Sequence, residues 1–237
     1  LYQLPQIEDK KLFLEAYAQT YLKEEVWDEH LVKKLNPFRR FLQVSAQANG
    51  TVVNYSQIAK DVQVDTKTIQ SYFQILEDTL LAYFLEPYHA SPRKRLRQNP
   101  KFYLFDIGVT RALTHDFALD IDYHSFGFGY RFEHFLITEM HRLNDSLKLG
   151  FQFSFIRTKD DREVDIVIEG AGEPLTLVEI KSTSLVNSSH LQGLAHFQTF
   201  FPKARLFCLS LDPNPKQFGN ITALPWDKGL KELGLTG

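Results

Sequence analysis

The sequence predicts a mixed α/β chain in two parts, a helical first part and a strand-rich second part. Three observations carry this. Apolar residues recur at helix spacing over much of residues 8 to 80, with a cap and a turn between two short helices. Two strand patterns separated by a basic polar stretch follow. After residue 150 come FQFSFIRT, EVDIVIE, LTLVEIKST and ARLFCLSL, each reading as a strand. At 237 residues, with 43% hydrophobic and 24% charged, the chain can bury one or two ordinary cores and is neither disordered nor collagen-like.

Residues 8 to 49 read as helical. Leu12, Ala16, Tyr17 and Tyr21 repeat at helix spacing, as do Phe38, Phe41, Leu42 and Ala46. Asn36-Pro37 starts the second helix, with Pro where its missing N–H costs nothing, and Asn49-Gly50 stops it. Asn54 or Ser56 caps a short helix through Lys60, and Val62-Gln63-Val64 is a tight turn. Asp65 caps a longer helix by accepting from Lys67 or Thr68, with Ile69, Tyr72, Phe73, Leu76 and Leu80 on its apolar side. LLAYFLEPY reads as a strand, SPRKRLRQNPK as a connection and FYLFD as a returning strand. A helix-turn-helix followed by a hairpin is the layout of a winged helix. Residues 1–124 are therefore assigned to a helical region with a winged helix-turn-helix, and residues 125–237 to an α/β domain. The second domain opens on a helix starting after Gly129 and has another near His190 to Phe201. Gly127 and Gly129 lack the third glycine of a dinucleotide fingerprint and read as loop.

Composition narrows the function classes. One cysteine, Cys208, excludes a disulfide-stapled scaffold and fits a reducing cytoplasm; in ARLFCLSL it reads as a core thiol. No apolar run approaches the ~20 residues of a membrane helix, and no secretory leader opens the chain. The chain starts Leu-Tyr-Gln-Leu-Pro, which reads as the C-terminal part of something longer. The net charge of −2 gives no overall pull toward nucleic acid. Locally, Arg93, Lys94, Arg95, Arg97 and Lys101 form a basic cluster at the wing. Lys67, Thr68, Gln70 and Ser71, at the start or outer side of the second helix, are of the type that meets phosphates and base edges. The same surface also suits a protein partner, since Glu77 and Asp78 make the helix end acidic. His134 and His141 share a helix side without a third ligand and read as structural.

The chemistry-bearing segment is EVDIVIEGAGEPLTLVEIKST. Strand alternation puts Val164, Ile166 and Ile168 on one face and Asp165 on the other. In the next strand, Glu179 and Lys181 share a face with Leu177. A hairpin symmetric about Gly172 sets Asp165 opposite Glu179. Two opposed carboxylates repel unless something positive lies between them. Lys181 is one candidate; a divalent cation such as Mg²⁺ is the other. Glu133 lies on the preceding helix near its core-facing side. Elsewhere an E-x-K strand pair is a surface ion pair worth under ~1 kcal/mol.

Glu133 on a helix, Asp165 on a strand and Glu179-x-Lys181 on the next resemble the PD-(D/E)xK, restriction-endonuclease-like fold. YLKEEVWDE, FRRFLQVSAQANG, TIQSYFQILEDTLL, PKFYLFDIGVTRAL, GYRFEHFLITEM, EVDIVI and VEIKS, in that order, resemble the C-terminal region of a prokaryotic family of AAA-type ATPases. In that family an ATPase module precedes a winged helix and a nuclease-like domain. The resemblance implies that Asp165, Glu179 and the carbonyl of Ile180 bind Mg²⁺ or Mn²⁺. It implies that Lys181 activates water and stabilises the developing phosphoryl charge, and that Glu133 supports the site. His190 and Gln192 lie where a phosphate could approach, though a surface role suits both. No G-x-x-x-x-G-K-[ST] occurs here; the resemblance implies that ATP belongs to a module N-terminal to this chain. The expected partners are DNA and that ATPase module, with an oligomer allowed. The alternative is a non-catalytic DNA- or protein-binding tail with an inert nuclease fold.

Overall fold

The computed structural model describes residues 9–21, 35–89, 99–116, 126–158, 160 and 162–236. The chain is mixed α/β and divides into two compact units, Leu1–Phe84 with Lys101–Asp120, and Leu85–Pro100 with Ile121–Gly237.

The first unit is helical. Asp9 caps α1 (Lys10–Ala16), which continues as a π turn over Tyr17–Tyr21. α2 spans Leu35–Gln47, so Pro37 falls two residues inside the helix rather than at its start. Asn54, not Ser56, caps α3 (Tyr55–Val62) by accepting from Gln57 N–H at 3.1 Å. Gln63 ends α3 in the left-handed region at φ 61°. Asp65 then opens α4 (Thr66–Asp78), accepting from both the N–H and the hydroxyl of Thr68. Leu80 departs from expectation. The helix stops at Asp78, and Leu80 sits at φ 57° with 66% of its surface exposed, while Leu81 takes the buried position. β1 (Ala82–Pro87) begins in this unit beside β2 (Lys101–Leu104), and Asp106 caps α5 (Ile107–Thr114).

Aromatic rings fill the core. Phe41 meets Phe73 edge-on at 4.8 Å, Phe73 meets Phe102 at 4.9 Å, and Phe38 meets Tyr72 at 5.1 Å. Each such pair contributes about 0.5–1.5 kcal/mol beyond its buried area. The helix stop at Asn49-Gly50 also anchors β2. The buried Asn49 side chain accepts from Leu104 N–H at 2.7 Å, and Gly50 N–H, at φ 71°, donates to Phe102 O. Lys101 is buried at 5% exposure, which removes it from the basic surface cluster.

The second unit is a twisted sheet between helices. α6 spans Phe126–Leu147 and includes Gly127 and Gly129, which the sequence reads as loop. A Cβ at Gly129 would lie 3.2 Å from the Ser182 hydroxyl, so the bare backbone lets the helix start approach the segment after β5. β3 (Gln152–Arg157), β4 (Glu163–Glu169), β5 (Thr176–Lys181), β6 (Arg205–Ser210), β8 (Ile221–Pro225) and β7 (Lys216–Phe218) are neighbours in that order. The end of β1 runs parallel to β3. β3–β4–β5 is an antiparallel meander, and β5, β6 and β8 are parallel. A 3₁₀ turn, Ser188–Leu191, leads into α7 (Gln192–Gln198), and α8 spans Trp226–Glu232. β7, β8 and α8 have no counterpart in the sequence reading.

α7 packs Leu194 and Phe197 onto Val164, Val167, Leu177, Leu206 and Cys208. α8 lies on the other face, where Gly229 abuts Leu209, and Trp226 meets Phe135 of α6 edge-on at 5.2 Å. Val164 is a correction. Between Ser154 and Ile156 the β3–β4 register shifts, giving β4 one extra residue between Val164 and Val167. Such a bulge breaks alternation. Val164 therefore packs with Val167 and Leu177, not with Ile166 and Ile168.

Candidate functional site

The β4–β5 hairpin turns at Gly172, whose φ of 82° suits glycine. Its partners are Ile166 with Val178, Val167 with Leu177 and Ile168 with Thr176. These pairs have the register expected from symmetry about Gly172 and end at Ile166, one residue short of Asp165. Ile180 N–H instead donates to Asp165 Oδ2 at 2.7 Å, so a side chain replaces the next main-chain acceptor. Asp165 lies within the bulged stretch of β4, and bulges commonly re-aim side chains beside functional sites.

Glu179 is 7% exposed on the apolar side of β5. Its Oε1 pairs with Lys181 Nζ at 2.6 Å, while its buried Oε2 has no hydrogen-bond partner among the described residues. Burial first, then Asp165 and more weakly Glu133, hold the Glu179 carboxyl above the usual carboxylate range against the pull of Lys181. Burial alone would lower the Lys181 ammonium, but Glu179 and Asp165 outweigh it and keep the lysine firmly cationic. Glu133, on α6, is therefore close enough to act on Glu179 electrostatically. Asp165, Lys181 and, more weakly, Glu133 thus each act on the Glu179 carboxyl within one unit.

Two further residues shape the site: Gly193, which the sequence does not single out, and Cys208, which it reads only as a core thiol. A Cβ at Gly193, in the first turn of α7, would lie 3.7 Å from Glu179 Oε2 and 3.0 Å from Glu163 O. Gly193 therefore lets α7 close over the carboxylate. Cys208 is the parallel neighbour of Glu179, and burial followed by the Glu179 charge pushes its thiol up to about 12. It is a core thiol, as its strand position suggests.

Behind the site, Asp212 clasps the segment after Lys181. It is 2% exposed and accepts from Val186 N–H at 2.8 Å and from Asn214 N–H at 3.0 Å, and it pairs with Lys216, which also donates to Val186 O. The lysine and the backbone amides hold its carboxyl down at about 2.

The other candidates sort by what their polar atoms already do. His190 Nδ1 accepts from Asn187 N–H in a capping box, and Gln192 is exposed. His134 is buried, and His141 packs edge-on to Phe153 with its imidazole pulled down to about 4 by burial. In the first unit, Thr68 is engaged by Asp65, and the Ser71 hydroxyl donates to Lys67 O. Lys67 and Gln70 are exposed. Arg93, Lys94, Arg95 and Arg97 lie outside the described residues.

The fit to a divalent cation rests on the donor set. Among the described residues no three His, Cys, Asp or Glu groups converge to hold a metal by themselves. Asp165 and Glu179 are hard oxygen donors, and one buried oxygen lacks a partner. That suits an open site completed by a carbonyl and water rather than a closed protein cage.

Residues 2–120, just over half the chain, match the model of a domain of unknown function, DUF8612. The chain belongs to that family. Residues 128–228 match a second domain of unknown function, DUF4143. The uncharacterized proteins Mb2031c of Mycobacterium bovis and Rv2008c of Mycobacterium tuberculosis are each 28% identical to it over 178 residues, covering 75% of this chain and 39% of theirs. The DUF8612 chain thus spans well under half the length of these curated relatives. Among solved structures, a half-complex from a tetradecameric assembly of Thermococcus gammatolerans McrB AAA+ hexamers with bound McrC aligns at 13% identity. Its TM-score is 0.32, over 79% of this chain and 46% of that one. No helix among the described residues is long and apolar enough to cross a membrane.

Proposed function

We propose that the second unit is a divalent-cation-dependent nuclease module of PD-(D/E)xK type, served by a DNA-binding winged helix in the first unit. The observation that carries this reading is the buried Oε2 of Glu179, unpartnered among the described residues, on a carboxyl that Asp165 also acts on. Buried anions are normally paired or bound to metal, and Lys181 satisfies only one oxygen of the two. Asp165, Glu179 and the carbonyl of Ile180 would hold Mg²⁺ or Mn²⁺, which when bound supplies a water nucleophile and charge neutralisation at phosphate. Asp165 is oriented by the Ile180 amide. Lys181, held cationic by its carboxylate neighbours, is placed to orient water and to stabilise charge developing on a phosphoryl oxygen. Glu133 adds negative field from α6. In the first unit, exposed Lys67 and Gln70 near the start of α4 present the polar groups for DNA; Arg93, Lys94, Arg95 and Arg97 are proposed as a separate DNA contact.

The chain would be the C-terminal portion of an AAA-type ATPase, a reading supported by the ordered motifs from YLKEEVWDE to VEIKS. ATP hydrolysis would then belong to the preceding module.

A second reading is favoured by a specific observation. Asp165 already accepts from Ile180 N–H, and Glu179 already pairs with Lys181, so the site is partly self-satisfied without a cation. On that reading the chain is a DNA- or partner-binding tail with an inert fold. Plasmid and single-stranded oligonucleotide cleavage in Mn²⁺, with calorimetry of metal binding, separates the two. The nuclease reading expects Asp165→Ala to lose both metal and cleavage, and Lys181→Ala to keep metal and lose cleavage. A wild-type chain that binds no metal at millimolar concentration and cuts nothing, alone or joined to its ATPase module, leaves the inert reading.

A further inference from the structure

The first unit contains an open cavity of about 690 Å³ that neither reading above employs. Its floor is apolar, with Ala18 and Leu42 each 2% exposed and Leu113 6% exposed. Its rim is polar and comes from α2. Asn36, Arg39, Arg40 and Gln43 recur at intervals of three and four residues, which places them along one side of the helix. Neither arginine is ion-paired with a described residue. Arg40 donates to the neutral amide oxygen of Gln63 at 3.3 Å, and no carboxylate among the described residues pairs with it.

Two adjacent, unpaired guanidinium groups at the mouth of a cavity call for an anion. The planar fork of arginine matches phosphate oxygens bidentately. The volume falls within the roughly 300–1,000 Å³ of small-molecule sites, which combine an apolar lining with a few placed polar groups. A bare anion would use only the rim, and an uncharged apolar ligand only the floor. A ligand that uses both carries a compact anionic group on a flat apolar body.

We propose that this cavity binds a phosphorylated small molecule of nucleotide kind. Its phosphates lie against Arg39 and Arg40, its ring lies on Leu42 and Leu113, and the amides of Asn36 and Gln43 meet its polar edges. The site is built from residues of the first unit and does not depend on the nuclease reading.

The test is calorimetry on the whole 237-residue chain. EDTA is present throughout, so that the second unit's carboxylates recruit no nucleotide through a cation. The probes are ADP, adenosine, inorganic pyrophosphate and a short single-stranded oligonucleotide. ADP is expected to bind, with adenosine and pyrophosphate each at least about tenfold weaker, because each loses one half of the contacts. Arg39→Ala and Arg40→Ala each weaken ADP by about tenfold or more. Both side chains are exposed, so unchanged circular dichroism and melting temperature show that the variants fold. Arg39→Lys, which keeps charge and loses the fork, should fall between wild type and alanine.

Any of four outcomes overturns the proposal. The first is no ADP binding at about 5 mM, where even a site with a dissociation constant of about 1 mM is mostly occupied. The second is ADP binding that survives the double alanine variant. The third is pyrophosphate binding as tight as that of ADP, which leaves only an anion-attracting surface. The fourth is oligonucleotide binding where ADP does not bind, which makes the arginines part of a nucleic-acid surface.

Discussion

Replacing Asp165 by Asn should stabilise the second unit and, on the proposed nuclease reading, remove its metal site. In the Asp165→Asn variant the amide oxygen can still accept from Ile180 N–H, as the carboxylate does at 2.7 Å, so the geometry survives and only the charge goes. Opposed strand partners have Cβ atoms about 4.5–5.5 Å apart, which puts the two carboxylates roughly 6 Å apart. At an effective dielectric constant of about 20, two unit charges at that distance repel by about 3 kcal/mol. Asp165 is only half-buried and Lys181 lies 2.6 Å from Glu179, so the net gain should be about 1–2 kcal/mol. The sign with pH follows from the raised Glu179 carboxyl. The unfolded chain loses that proton first, so wild-type stability falls as pH rises from the ordinary carboxylate range through the raised one. Removing the Asp165 charge lowers the Glu179 carboxyl and shrinks that fall, so the variant's advantage grows with pH and then levels off. Urea unfolding followed by Trp226 fluorescence reads the second unit, since that ring packs on Phe135, and a Trp27→Phe background leaves it the sole tryptophan. Mn²⁺ at ten times its dissociation constant should add about 1.4 kcal/mol to wild type and nothing to the variant. Equal or lower stability of Asp165→Asn at every pH from about 6 to 9, without metal, would refute the reasoning, because the carboxylates would not then be facing each other.

Three other substitutions test separate parts of the structure. Replacing Arg93, Lys94, Arg95 and Arg97 together by Ala should weaken duplex binding and flatten its salt dependence by up to about four units of log–log slope; an unchanged slope removes this stretch from the DNA surface. Asn49→Ala leaves the buried Leu104 N–H without its side-chain acceptor and should cost about 1–3 kcal/mol in urea unfolding, against near zero if β2 is held otherwise. Leu80→Val should cost about 1 kcal/mol despite 66% exposure, because a branched side chain resists φ 57°; an ordinary surface Leu→Val change stays within about 0.5 kcal/mol.

The elements that local chemistry dictates were legible in the sequence. Asn54 and Asp65 each accept from a backbone N–H three residues on, as short polar side chains at helix starts do. The β4–β5 register followed from one turn and strict alternation. The failures arose where tertiary contact overrides a local rule. Gly127 and Gly129 look like loop, yet they lie in α6, where the missing side chain at Gly129 admits the segment after Lys181. Leu80 fits the helical stripe, but the chain turns two residues earlier and Leu81 takes the burial. The bulge at Asp165 moved Val164 to the α7 side, and no residue type in EVDIVIE announces a bulge.

The same distinction explains what the sequence conveys about the site. E-x-K on a strand is nearly uninformative, since an exposed pair of this kind is worth little. What sets Glu179 apart is 7% exposure, and that comes from Gly193 letting α7 close over it and from Cys208 beside it in the sheet. Once buried, a carboxylate is stable only if its oxygens find partners. Lys181 reaches one of them from two residues away along β5, because alternation brings residues two apart to the same face. It cannot also reach the other, which faces the first turn of α7 at a glycine that offers no side-chain donor. The unmet oxygen is thus a consequence of packing. It belongs to a carboxyl that Asp165 also acts on, and on the proposed reading a cation held between the two would satisfy both at once.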